Sequence, residues 1–81
     1  SIEPEKHMLL VPHENKPSMI AKVATVIGEH GINKNHMHVV QKPGDKSLMV
    51  INTDCAVEKD VINQIEKIDG VSVSKYVKLT A

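Results

Sequence analysis

Few side chains in this chain of 81 residues could do chemistry: five histidines, one cysteine and two asparagines placed beside turns. His36 and His38 lie two apart, so on a strand they face the same side, as two ligands of one metal ion must. No Cys, Asp or Glu accompanies them at ligand spacing, so they make an incomplete site, and the plainer reading is a solvated pair or one lining a polar interface. Cys55 stands just before an expected helix, whose dipole could lower a thiol pKa. No His or second Cys is near it in sequence, which favours a bystander. There is no Gly-rich phosphate loop, no pair of carboxylates at helical spacing and no Ser nucleophile in a sharp turn. No catalytic residue, bound metal or cofactor is expected.

His13 differs in kind. It sits with Asn15 where a strand gives way to a helix, and such a junction aims unpaired backbone N–H groups and the positive end of the helix dipole at whatever docks there. A small amino acid suits it. The carboxylate would take the N–H groups, and Asn15, which both donates and accepts, would serve the ammonium. Asn33, at the start of the next strand, could complete the pocket across a subunit boundary. The plainer alternative has Asn15 capping the helix and Asn33 shaping a turn; local pattern leaves both open.

The elements that must position these residues follow from periodicity. His7 to Val11 is a short apolar run ended by Pro12, which suits a buried strand. Pro17 fits a first helical turn. Ile20, Val23, Ala24 and Ile27 then trace one buried helical face, and Gly31 supplies a stop, giving a helix over about residues 17–30. His36 to Lys42 and Lys46 to Thr53 flank Pro43-Gly44-Asp45 and should form a hairpin. Asp54 can cap a second helix near residues 56–68, striped by Val57, Val61, Ile65 and Ile68 and ended by Gly70. In the last strand Val71, Val73, Val77 and Leu79 share the expected inward parity, which Lys75 breaks.

Gly31-Ile32 and Gly70-Val71 stand at matching helix-to-strand junctions, so the chain reads as a duplicated strand–helix–strand unit. Right-handed crossovers then give an α+β fold of the ferredoxin-like βαββαβ plan, a four-stranded antiparallel sheet with two helices on one face. Met8 to Val11 and Leu48 to Ile51 carry apolar residues of both parities, so the bare face or its edge is expected to meet another subunit.

Composition narrows the rest. Ten basic residues balance ten acidic ones, leaving no excess charge for nucleic acid or anionic lipid. No apolar run approaches the roughly 20 residues needed to cross a bilayer, and a lone Cys gives no internal disulfide, so the expected setting is cytoplasmic. The chain does not begin with Met, and Glu3-Pro4-Glu5 reads as linker. The expectation is a fragment with residues 1–6 as linker remnant and one domain over 7–81.

Leu10-Val11-Pro12-His13-Glu14-Asn15-Lys16-Pro17, the aliphatic helix after it, and Glu29-His30-Gly31-Ile32-Asn33 resemble the ACT domain, in the form found at the carboxy terminus of D-3-phosphoglycerate dehydrogenases. The likeness runs from about His7 to Leu79, without a gap between the two motifs. It implies a regulatory domain, dimeric or of higher order, that binds L-serine at a subunit interface. The residues matching His13 and Asn15 of one subunit and Asn33 of its neighbour would hold the ligand, with Pro17 and Ser18 at the turn it approaches. It further implies feedback inhibition of serine synthesis, with catalysis in NAD-dependent domains of the parent chain. Ser18 departs from the Gly usual after the Pro, and Lys34 from the usual apolar residue, which bears on ligand preference. The ACT domain of L-serine dehydratase, or of another amino-acid enzyme, is similar too. A dimerisation domain without ligand would need only the apolar strands, and a metal- or cofactor-binding ferredoxin-like domain would rest on His36 and His38.

Overall fold

A computed structural model describes residues 6–41, 44 and 46–80. The elements are β1 (Lys6–Glu14), α1 (Met19–Glu29), β2 (Lys34–Gln41), β3 (Lys46–Thr53), α2 (Lys59–Glu66) and β4 (Lys75–Leu79). The strands form one antiparallel sheet in the order β2-β3-β1-β4. This is the ferredoxin-like plan that the sequence predicts. Of residues 1–6, read as linker, Lys6 is the first residue of β1; residues 1–5, and the turn roles of Pro43 and Asp45, lie outside the described residues.

The core follows from alternation along two central strands. Leu9 and Val11 of β1 and Met49 and Ile51 of β3 are fully buried, in one cluster with Val23 and Ile27 of α1 and Val61 and Ile65 of α2. Both helices therefore cover the face bearing these odd-numbered residues. The alternate residues, among them Met8, Leu10, Leu48 and Val50, are only half-buried, because they line the opposite face, to which neither helix packs.

Pro12 does not end β1, which continues to Glu14 paired with Lys46. The strand tolerates it because backbone groups alternate in direction. Pro12 turns its polar edge away from β3 and accepts a hydrogen bond from the Ser72 N–H at 2.9 Å, while the Glu14 N–H donates to Gly70 at 2.8 Å. The missing donor thus falls outside the β3 ladder.

The helices start later than their sequence signals suggest. Pro17 lies in the turn before α1, and Ser18 is the N-cap residue. The buried stripe is Met19, Val23 and Ile27, while Ile20 is 48% exposed instead of joining it. At the other end the Ile32 N–H bonds to Ile27 and the Gly31 N–H to Gly28, with Gly31 at φ 71°. That is a Schellman stop, and Ile27 and Ile32 make its apolar contact in the core. α2 starts at Lys59 with Glu58 as N-cap residue, so Asp54 does not cap it. Val57 is buried ahead of the helix rather than within it.

The last strand is read in the opposite phase. Tyr76 pairs with Leu9 on the helix side and packs against the core, whereas Val77 pairs with Met8 on the bare side. Val73 is 83% exposed in the irregular stretch before β4, and Ser74 is buried with its N–H bonded to Glu66 Oε2 at 2.7 Å. Val71 packs against the core as expected, and the irregular residues 72–74 after it exchange the two parities.

Gly70 adopts φ +97°, and a Cβ there would come within 2.9 Å of Met19 Cε. The methionine tip can move aside, but the backbone angle remains costly for any L side chain. Gly70→Ala is expected to destabilise the domain by about 1–2 kcal/mol, lowering Tm by roughly 5–15 °C in a thermal melt.

Candidate functional site

His13, Asn15, Lys16, Ser18, Met19, Ile20, Ala21, Val39 and Gln41 line a cleft of about 440 Å³ between the start of α1 and the edge strand β2. Clefts of about 470 and 430 Å³ lie elsewhere on the domain, so volume does not single this one out. The chemistry of its lining does. Three of the five sequence-predicted site residues, His13, Asn15 and Ser18, meet here. Pro17 shapes the turn without lining the cleft.

His13 continues the odd-numbered inward set of β1 and is 3% exposed. Its Nδ1–H donates to the Val11 carbonyl at 3.1 Å, which leaves Nε2 as the ring atom free for a ligand. The next residues leave the sheet as a tight loop. Lys16 Nζ donates to Asp69 Oδ2 at 3.2 Å and lies 3.8 Å from Glu14 Oε2. The hydrogen bond from Lys16 to Asp69, reinforced by both carboxylates, raises the lysine pKa. Its charge is thus spent on holding the loop to the Asp69-Gly70 turn.

Ser18 has φ 68° and ψ 6°, the left-handed conformation. Pro17 followed by a positive-φ residue is the signature of a type II turn, in which glycine is the usual second residue. No side chain caps α1, Asn15 included. The first intrahelical donor after the turn is the Lys22 N–H, bonded to Ser18 at 3.0 Å. The N–H groups of Met19, Ile20 and Ala21 therefore begin the helix without intrahelical partners, beside the cleft.

Asn33 lies away from this cleft in the same copy. Its Nδ2 donates to Asp54 Oδ2 at 3.1 Å, its backbone N–H to Oδ1 at 3.3 Å, and the Asp54 N–H returns a bond to the Asn33 carbonyl at 3.0 Å. This clasp joins the start of β2 to the chain leaving β3, and the Asn33 side-chain bond leads in holding the Asp54 carboxyl below its ordinary range. Desolvation, together with Asp54, pushes the Cys55 thiol up; with α2 beginning only at Lys59, no helix end activates it.

Ile20, Val39 and Gln41 were not among the sequence-predicted site residues. By periodicity Ile20 belongs to the core stripe of a helix starting at Pro17; with α1 starting at Met19 it is instead exposed toward the cleft. Val39 and Gln41 join the cleft through sheet order alone, since β2 reaches β1 only by way of β3.

The chain resembles known proteins in sequence and in fold. The ACT domain family profile matches residues 7–70. The chain belongs to the ACT domain family. It is 35% identical over 72 residues to D-3-phosphoglycerate dehydrogenase of Methanocaldococcus jannaschii, covering 88% of this chain but 14% of that protein. It is 33% identical over 64 residues to the probable L-serine dehydratase beta chain of Bacillus subtilis, covering 78% of this chain and 29% of that one. In fold it is similar to the ACT domain of the GTP pyrophosphokinase of Chlorobium tepidum, with a TM-score of 0.63 at 16% identity, covering 89% of this chain and 96% of that one. This ACT domain is thus a regulatory module with relatives in two enzyme families, and it spans a small part of each.

Two outcomes follow from the site's backbone and charge. Ser18→Gly removes a left-handed cost of about 1–2 kcal/mol and adds an entropic cost of about 0.5–1 kcal/mol, so Tm should rise by a few degrees (roughly 4–8 °C per kcal/mol). Asp54 has a depressed folded pKa, so its clasp stabilises the domain above the ordinary carboxylate range, about pH 4, and is lost as pH falls through the folded value. Denaturation of the wild-type chain and Asp54→Asn should differ at neutral pH and converge on acidification.

Proposed function

We propose that this ACT domain senses a free amino acid, L-serine, and exerts feedback control on a D-3-phosphoglycerate dehydrogenase of which it is the regulatory part. One observation carries the reading: His13, Asn15 and the free N–H groups that open α1 line one cleft. The N–H groups of Met19, Ile20 and Ala21 would hold the carboxylate, Asn15 the ammonium, and His13 Nε2 the serine hydroxyl. Ile20 and Val39 would exclude larger polar side chains.

A second copy supplies what one copy lacks. β2 is an edge strand with its outer backbone groups unpaired by the sheet. Two such strands related by a twofold axis must pair about a residue rather than between residues, because directly opposed residues face the same side. Centred on Met37, the pairing would bring the start of one β2, beside Asn33, to the end of the other, at Gln41 and the cleft. Asn33 uses Nδ2 on Asp54, so its Oδ1 would accept from the ligand ammonium across the boundary.

The dehydrogenase relative supports the parent named, and metabolic enzymes as relatives support a cytoplasmic setting. The serine dehydratase match supports a second parent of the same ligand class.

Calorimetric titration with each of the twenty amino acids should single out L-serine. Asn15→Ala and Asn33→Ala should each weaken it roughly ten- to hundredfold, as expected for a lost charge-assisted hydrogen bond of about 1.5–3 kcal/mol. A mixed dimer with Asn15→Ala on one chain and Asn33→Ala on the other should keep one intact site of two. Serine binding that neither substitution weakens would move the pocket elsewhere. If no amino acid binds the wild type or Ser18→Gly, the domain serves assembly alone.

A further inference from the structure

Three of the five histidines are hydrogen-bonded: His7 Nδ1 lies 2.7 Å from the Tyr76 hydroxyl, His13 donates to Val11, and His30 Nε2 lies 2.6 Å from Gln64 Oε1. His36 and His38 have no such bond among the described residues. They are exposed and contact each other, ring centroids 4.9 Å apart with planes at 75°. Opposite Asn52 and Val50 of β3, they project from the bare face of the sheet.

This is the geometry of half a metal site. Residues two apart on a strand are separated by about 6.6 Å, and imidazole nitrogens bind zinc at about 2.0–2.1 Å. Rotation of two exposed rings closes the chelate, and no existing hydrogen bond has to break. A third ligand is lacking, since no group of three or more His, Cys, Asp or Glu able to hold a metal occurs among the described residues. The half-site is incomplete within one copy.

We propose that His36 and His38 bind a divalent transition-metal ion of the zinc class, and that the same pair from a second copy completes its shell. The proposal rests on the pairing of β2 edges about Met37 described above. In that register His36 of one copy stands opposite His38 of the other, and opposed residues of antiparallel strands have Cβ atoms about 4.5–5.5 Å apart. Four imidazoles then share one face around the twofold axis. Imidazole donors select Zn, Ni or Cu over the oxygen-seeking Mg and Ca. Four protein ligands leave no open position, so the ion clamps the dimer and does no catalysis. It sits on the bare face, away from the amino-acid cleft on the helix side, and acts on that cleft only by holding the two copies together.

Zinc chloride titrated into the EDTA-treated 81-residue chain tests this. Calorimetry should give one zinc per two chains, and sedimentation equilibrium should show dimerisation tightened at least tenfold by zinc. Cobalt(II) in its place should give the visible absorption of a tetrahedral ion. His36→Ala and His38→Ala should each abolish the stoichiometry and the tightening. Absence of zinc binding at micromolar concentration, one zinc per chain with no effect on dimerisation, or binding unchanged in both variants would each overturn the clamp. If zinc fails to bind while the mixed Asn15→Ala/Asn33→Ala dimer still keeps one serine site, the clamp alone falls and the sensor reading stands. If zinc binds at one per two chains and the mixed dimer loses both sites, the clamp stands and the shared cleft falls.

Discussion

Everything in this domain is hung on β1, one of the two central strands, flanked by β3 and β4. It pairs with β3 from His7 to Glu14 and with β4 from Lys6 to Leu10. Its two-residue period buries Leu9 and Val11 completely, each burial contributing about 1.5–3 kcal/mol. The same period carries one step further to His13, so the alternation that builds the core also delivers the histidine that lines the cleft to the helix side. Where pairing with β3 stops, the loop that opens α1 begins. Core and cleft thus meet on one strand, through His13.

The plan of the fold was legible because each element carried its own local signal. β3 runs from Lys46 to Thr53 as its apolar run indicates, and Gly31 and Gly70 both take the positive φ expected at the repeated junction. Structure and local signal part where the signal has a rival partner. Asp54 is a good cap by type, but Asn33 offers it a side-chain amide, a backbone donor and a backbone acceptor at once. Valines alternate through the last strand, yet the irregular chain at Val73 and Ser74 shifts the phase so that Tyr76 turns inward. Neither competitor is visible within a short window of sequence.

Of the candidate cleft's lining, the part that lies close in sequence was legible and the part assembled by topology was not. His13, Asn15 and Ser18 come from six consecutive residues, and the cleft needs only their turn to bring them together. Val39 and Gln41 arrive from a strand two places away in the sheet. Asn33 does not line that cleft within its own copy, so its place there is a question of assembly. Ser18 is informative in another way: the backbone keeps the left-handed turn although the residue type no longer favours it, which places the demand in the loop geometry rather than in the side chain.

Pro12 has a consequence for how the sheet finds its alignment. A β1 slipped by one residue against β3 would turn each polar edge of the strand to the other side. The proline nitrogen would then face β3 where a donor is required, and Leu9 and Val11 would point to the bare face. The misaligned sheet would lose a ladder hydrogen bond as well as its core. An aliphatic strand with apolar residues on both faces is otherwise poorly protected against such a slip, since Met8 and Leu10 could stand in for the residues they displace. The proline acts as a register key: it costs nothing in the native pairing and penalises the neighbouring one.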